Sequence, residues 1–190
     1  GNGYNDEWLK EAEKRGLLNL KSTPECLPYL LKEKNIKLFE DHKVLSVTEI
    51  KSRYEIMLDN YIKTINIEAS TMIDMVNKDI LPAISKYVYD LSLTLEKRTV
   101  VLPDIKDCFE TERIKKLTSL SKSIADKVCK LENMLNFKPT DDIQKEAEYF
   151  RNIVFAEMNS LREDVDNAEM ITSSKIWPYP SYGELLFGIR

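Results

Sequence analysis

The sequence predicts an all-α fold, an elongated helical bundle, from three observations. Only 5 of the 190 residues are glycine, while hydrophobic residues make up 43% and charged residues 32%, a composition typical of helical proteins. Apolar residues recur at spacings of three and four over most of the chain, as in helices buried on one side. No run alternates long enough between apolar and polar residues to predict a strand. We therefore expect a single helical domain over residues 1–190.

Two short helices are predicted within residues 1–45. Asn5 is a suitable N-cap for the first helix, and Gly16 is a suitable stop. The Thr-Pro pair at 23–24 predicts the second start, with proline at the first helical position. Pro28 follows one turn later and predicts either a break in that helix or a shifted start.

A long helix is predicted over residues 46–97. Ser46 and Glu49 form the S-x-x-E pattern of a capping box. The apolar stripe that follows is wide, which indicates burial against more than one neighbour. Pro82 lacks a backbone donor and crowds the preceding turn, so we expect a kinked helix. Residues 97–104 are predicted to form a turn.

A long helical hairpin is predicted next, from helices over residues 103–136 and 140–172. Each carries its own apolar stripe at helical spacing. Thr140 is expected to cap the second helix. Asp141 and Asp142 then fall in its first turn, where negative charge suits the helix dipole.

An apolar segment, WPYPSYGELLF, begins the C-terminal tail over residues 177–190. Its two prolines and one glycine predict an irregular, docked segment. Burying its large side chains would contribute on the order of 10 kcal/mol gross, at about 1.5–3 kcal/mol each, before ordering of the backbone is counted. Docking within the chain and docking between subunits are both consistent with the sequence. The candidate docking or interface residues are Trp177, Tyr179, Tyr182, Leu185, Leu186 and Phe187.

Charge and motifs exclude several classes of function. The formal net charge is −4 with both signs interspersed, which disfavours nucleic-acid binding. No apolar run approaches the roughly 18 residues of a membrane span. His42 is the only histidine and no cysteine pair is close in sequence, so neither a zinc site nor a di-metal site is predicted. Three distant cysteines favour a reducing, cytoplasmic setting.

Methionines on the long helix have two interpretations. Met57, Met72 and Met75 could line an adaptable groove, but core packing is the simpler interpretation. Together with tyrosines near Pro82, they are the support for a regulatory module that binds a small effector or a partner protein.

The tail and the long helix resemble a known family. WPYPSYGELLF is similar to the W-P-x-P-[ST]-Y-G-[DE]-L-L-F ending of type III glutamine synthetases, and residues 11–20 and 52–69 are similar to the same family. The resemblance covers nearly the whole chain and is strongest in residues 11–84 and 177–187. Since the chain starts Gly1 without methionine, we expect a fragment that keeps a residue of a removed tag.

The resemblance implies a C-terminal region without the catalytic body of a bacterial, cytoplasmic enzyme of nitrogen metabolism. Such an enzyme ligates ammonia to glutamate with ATP and Mg²⁺ or Mn²⁺, through motifs that lie upstream of this region. None of those motifs is matched here, so no catalytic, cofactor-binding or metal residue is assigned, and this chain alone is not expected to be an enzyme. The expected role is to support oligomer assembly or the catalytic domain, with other subunits and that domain as partners.

Overall fold

A computed structural model describes residues 5–104 and 108–188 of the chain. Every regular element within these ranges is helical, so the all-α prediction is confirmed. In chain order the elements are α1 (Asp6–Lys14), α2 (Thr23–Cys26), a 3-10 turn (Leu27–Leu31), α3 (Glu33–Asp41), α4 (Val47–Met75), a first π-helical turn (Val76–Ile80), α5 (Leu81–Val101), α6 (Phe109–Asn136), α7 (Ile143–Tyr149), a second π-helical turn (Phe150–Val154), α8 (Phe155–Ile171) and α9 (Tyr182–Leu186).

Helices α1 and α2 start within one residue of the predicted signals, and α3 is a further short helix within residues 1–45. The Asn5 side chain accepts a hydrogen bond from the Trp8 backbone N–H at 3.0 Å. Gly16 follows the helix with φ of 72°, a conformation that glycine adopts without a Cβ clash. The second helix begins at Thr23, and the 3-10 turn that contains Pro28 replaces it after one turn. Of the two alternatives predicted at Pro28, a break or a shifted start, the structure has the break.

The capping box predicted at the start of the long helix is confirmed. The Ser46 backbone N–H donates to the Glu49 carboxylate at 2.7 Å. In return the Glu49 N–H donates to Ser46 Oγ at 3.4 Å. These reciprocal bonds satisfy backbone donors that the first turn leaves without intrahelical partners.

Just before Pro82 the long helix changes from α-helical to π-helical geometry for one turn. In this turn the Leu81 N–H donates to the Val76 carbonyl, five residues back. Pro82 then occupies the first turn of α5, where its missing N–H is tolerated best. The helix continues through the proline because the extra residue of the π turn relieves the crowding that an α-helical turn would impose.

The predicted turn at residues 97–104 starts too early. Helix α5 continues to Val101, and the Leu102 N–H still donates to the Arg98 carbonyl at 2.8 Å. Arg98 also pairs with the Glu110 carboxylate at 2.8 Å, which supports this last turn. Between Pro82 and Pro103 no proline interrupts the chain, so the helix runs on until just before Pro103.

Both helices of the predicted hairpin start later than expected. Helix α6 begins at Phe109, after a turn at residues 103–104, while residues 105–107 lie outside the described residues. The cap of α7 is Asp142, not Thr140. The Asp142 carboxylate accepts from the Gln144 and Lys145 N–H groups at 2.9 and 3.2 Å. Thr140 only accepts from the Asp142 N–H at 3.1 Å, and it lies two residues before the cap.

The described residues group into two compact units. One lies within Gly1–Thr64 and Pro139–Arg151, and the other within Ile65–Lys138 and Asn152–Arg190. The single domain over residues 1–190 stays a prediction, and each unit is described by itself.

A small apolar core and the hydrogen bonds of one glutamine side chain connect the helices of the first unit. Leu27, Leu58 and Ala147 are buried together. The Gln144 amide donates to the Pro24 carbonyl at 2.8 Å. Its oxygen accepts from the Tyr54 hydroxyl at 2.9 Å. One glutamine thereby joins α2, α4 and α7, which are far apart in sequence.

In the second unit α6 packs against both α5 and α8. Lys127 pairs with Asp164 at 2.6 Å, and the Ser123 hydroxyl donates to the same carboxylate at 2.6 Å. Burial raises the pKa of Asp164, but these hydrogen bonds and the Lys127 charge outweigh it and lower the pKa overall. The fully buried core side chains of this unit include Ile84, Leu117, Ile124, Leu131, Val154 and Leu161.

Candidate functional site

The C-terminal segment divides at Pro180 into a docked part and an exposed part. Trp177 and Tyr179 are half-buried. Beyond them the side chains of Tyr182, Leu185, Leu186 and Phe187 are 84%, 66%, 73% and 77% exposed. Docking within the chain, one of the two alternatives for the tail, is therefore not observed for Leu185, Leu186 and Phe187. The alternative, that they contact another subunit, stays a prediction.

The exposed part is not irregular, which corrects a second expectation. Residues Tyr182–Leu186 form one helical turn, α9. The Ser181 N–H donates to the Glu184 carboxylate at 2.8 Å, and the Glu184 N–H donates to Ser181 Oγ at 3.3 Å. Both prolines precede this capping box, so neither removes a donor from the turn. The signal for this turn is the S-x-x-E pattern of Ser181 and Glu184, which stands in the sequence.

One tyrosine of the docked part makes a hydrogen bond to the long helix. The Tyr179 hydroxyl donates to the Asp79 carboxylate at 2.9 Å, and Asp79 belongs to the first π-helical turn. Burial, followed by this hydrogen bond and the charge of Asp79, raises the pKa of Tyr179 to about 12. The neutral phenol is thus the form that holds the segment against the turn.

A cavity of about 510 Å³ lies beside this contact, entirely within the second unit. Three elements line it: the end of α4 with its π-helical turn, the face of α8, and the docked part of the C-terminal segment. This volume is typical of small-molecule sites. Its apolar walls include Met72, Met75, Val76, Met158, Leu161 and Trp177.

Charged side chains occur at the edge of this cavity. Glu68 lies on α4, while Arg162, Asp166 and Glu169 lie on α8. Arg162 Nε is 3.5 Å from the Asp166 carboxylate. Within the described residues, Glu68 and Glu169 have no ion-pair partner. The edge is therefore negatively charged, and the walls are apolar.

The sequence suggested a methionine-lined groove as one of two interpretations. It did not predict where in the fold such a groove would lie. Met72 and Met75 line the cavity, whereas Met57 belongs to the first unit. Met57 and Met75 are not packed in the core, because both side chains are exposed. Met158 and Trp177 were missed as neighbours because they come from distant parts of the chain, and helical periodicity does not pair distant helices.

Metal and nucleophile candidates are dispersed. His42 is the exposed C-cap of α3. In residues 5–104 and 108–188 no group of three or more histidine, cysteine or acidic side chains could hold a metal ion. Cys26 and Cys129 are exposed and Cys108 is half-buried, all as free thiols. Of the helices in those ranges, none has the length and apolar character that crossing a membrane requires.

Comparison with known proteins gives consistent matches. Residues 1–99 match the family described as the glutamine synthetase C-terminal domain. A glutamine synthetase of Butyrivibrio fibrisolvens is 39% identical over 100% of this chain and 27% of its own length. A type-3 glutamine synthetase of Dictyostelium discoideum is 33% identical over 98% of this chain and 26% of its own length. A glutamine synthetase of Bacteroides fragilis is 26% identical over the same shares. The chain spans about a quarter of the length of these relatives.

Proposed function

Because this chain belongs to the glutamine synthetase C-terminal domain family, we propose that it is a noncatalytic helical domain of such an enzyme. The resemblance drawn from its sequence is confirmed by the family match and by the relatives. In this proposal the domain supports assembly of subunits or the catalytic domain. The ligation of ammonia to glutamate, with ATP and Mg²⁺ or Mn²⁺, takes place in the cytoplasm on another part of the longer protein.

The observation that carries the assembly role is the exposed apolar surface of α9 and its C-cap, Phe187. Tyr182, Leu185, Leu186 and Phe187 lie within six residues and are all mostly exposed. A concentration of large apolar side chains on a surface is typical of a protein interface. Each would contribute about 1.5–3 kcal/mol if fully buried by a partner.

The capping box supports the same role because it reduces the ordering needed on binding. Ser181 and Glu184 already satisfy the first backbone donors of α9. A segment that is ordered before association loses less conformational entropy when it binds. The proposed partner is a second subunit or the catalytic domain.

The test is a double substitution, Leu185→Ser with Phe187→Ser, in the full-length protein that carries this chain. Sedimentation velocity should show a shift to smaller assemblies, and glutamine formation should fall with it. Met170→Ser is the matched control, because Met170 is 81% exposed on α8. Unchanged assembly and activity in the double variant would contradict the proposal. If Met170→Ser disrupted assembly to the same extent, the effect would not be specific to α9.

Within the described residues, the carboxylates and His42 do not form a group that fits a divalent metal ion, and the ligation needs such ions. We expect this chain alone to form no glutamine from glutamate, ammonia and ATP. A coupled phosphate-release assay checks this, and turnover above background would refute the noncatalytic role.

The cavity favours a second candidate function, a regulatory helical module that binds a small effector or a partner protein. Its volume of about 510 Å³ and its methionine-containing wall suit an adaptable binding site. The docked segment forms one side of the cavity. An occupant of the cavity would therefore bias the position of α9, which follows directly in the chain.

A further inference from the structure

The charge of the cavity's edge restricts what it can bind. Glu68 and Glu169 have no ion-pair partner among the described residues, and Asp166 is compensated only by Arg162. Three carboxylates and one guanidinium leave an excess of negative charge. An anion approaching this edge would be repelled, and a cation would be attracted.

The interior adds an apolar requirement. Met72, Met75 and Met158 provide flexible, polarisable surfaces that adapt to the shape of an apolar group. Trp177 provides an aromatic ring on the segment's side of the cavity. A cation close to an indole face gains a further attraction. Apolar walls with acidic edges therefore match a molecule with an apolar body and one positive charge.

We propose that this cavity binds a small amphipathic cation, with an aromatic or aliphatic body against the methionines and an ammonium group near Glu68 and Glu169. The proposal rests on the regulatory candidate function and names its ligand class. The same charges disfavour nucleotides and dicarboxylates. Binding is expected to hold Trp177 and Tyr179 in their docked positions, because both line the cavity.

Two probes with the same body and opposite charges test this proposal. They are 4-phenylbutylamine, a cation at neutral pH, and 4-phenylbutyrate, an anion. The chain has only two tryptophans, so the indole N–H signals in a ¹⁵N–¹H spectrum report Trp177, with Trp8 as the internal control. Trp8 lies outside the cavity's lining. Trp177→Phe assigns the two signals.

The amine should shift the Trp177 signal at a concentration about tenfold lower than the carboxylate does, and Trp8 should not move. Equal response to both probes, or preference for the anion, would overturn the charge assignment. No Trp177 shift by the amine at several millimolar would overturn the site. A Trp177 signal that shifts with protein concentration alone would show that a second copy occupies the cavity, which also overturns the proposal.

Substitutions in the cavity test whether the amine binds there. Thr71→Phe should abolish the amine response, because Thr71 lines the cavity from an exposed position. Glu68→Gln and Glu169→Gln should each weaken binding about threefold, as expected for a partly solvated charge pair. Glu163→Gln is the matched control, since Glu163 lies on α8 but does not line the cavity. An undiminished response in Thr71→Phe, with an unchanged unfolding midpoint, would contradict the location.

The regulatory role has a separate readout. Glutamine formation by the full-length protein would be measured with and without the amine at saturation of the Trp177 response. Binding with unchanged activity would overturn the regulatory function and leave the cation site standing. A changed activity that Thr71→Phe abolishes would support both.

Discussion

The two parts of the C-terminal segment have similar compositions but opposite environments. Trp177 and Tyr179 are half-buried, and the Tyr179 hydroxyl reaches Asp79. After Pro180, Leu185 on helix α9 and its C-cap Phe187 are exposed. Apolar character alone therefore does not decide which residues dock within a chain. The difference follows from the contacts of each part. The first part lines the cavity, whereas the second part has hydrogen bonds only within its own capping box.

The largest difference in the free energy of unfolding is expected between alanine variants of the two aromatic residues, Trp177 in the docked part and Phe187 in the exposed part. Trp177→Ala should lower the free energy of unfolding by about 2 kcal/mol, roughly half of what a fully buried aromatic ring loses. Phe187→Ala should change it by less than about 0.5 kcal/mol, as for an exposed side chain. Urea unfolding followed by circular dichroism measures both. Equal losses would show that the two parts are not distinct in this chain.

The hydroxyl groups provide a finer comparison. Tyr179→Phe should lower the free energy of unfolding by about 1 kcal/mol, because it removes one hydrogen bond to a carboxylate. Tyr182→Phe is the matched control, since Tyr182 is mostly exposed on α9. Thermal unfolding of the two variants under one buffer condition measures the difference. A larger effect at Tyr182 would reverse the assignment of the docked part.

High pH should release the docked part. The pKa of Tyr179 is raised from 10.0 to about 12, so the folded chain retains a proton that the unfolded chain loses. This contribution to stability is complete below pH 10 and is lost as pH rises towards 12. The difference in unfolding free energy between the unsubstituted chain and Tyr179→Phe should shrink over this window. A difference that stays constant from pH 9 to 12 would argue against the linkage.

The smallest expected effect is local to α9. Ser181→Ala removes the side chain of the capping box and should destabilise this turn by about 0.5–1 kcal/mol. Cα chemical shifts of residues 182–186 should move towards random-coil values. The global unfolding midpoint should not move, because α9 has no buried residue. A large global loss would mean that α9 stabilises the rest of the chain.

Local signals in the sequence predicted helix starts well. Ser46 with Glu49 and Asn5 with its following acidic turn act through bonds within four residues, so their effect is readable without tertiary structure. The cap of α7 was missed by two residues because Thr140 and Asp142 are both good caps. Only the geometry shows that the Asp142 carboxylate receives the two backbone donors.

Contacts between distant segments were not predictable from periodicity. Gln144 joins Pro24 and Tyr54 across separations of 120 and 90 residues. The cavity likewise combines residues near positions 70, 160 and 178. A stripe indicates which face of a helix is buried but not which helix covers it. The candidate site was therefore anticipated only as a methionine-containing surface and an apolar tail.

The first π-helical turn has a consequence for the phase of the long helix. In an ideal α-helix the interval from Ile65 to Leu91 covers about 7.2 turns, which would leave these two side chains about 80° apart. Both are buried. One extra residue taken up between Val76 and Ile80 reduces the interval to about 6.9 turns and brings the two faces within about 20° of each other. The turn thus acts as an inserted residue that realigns the apolar stripe, and a one-residue deletion there would separate its two halves onto different faces.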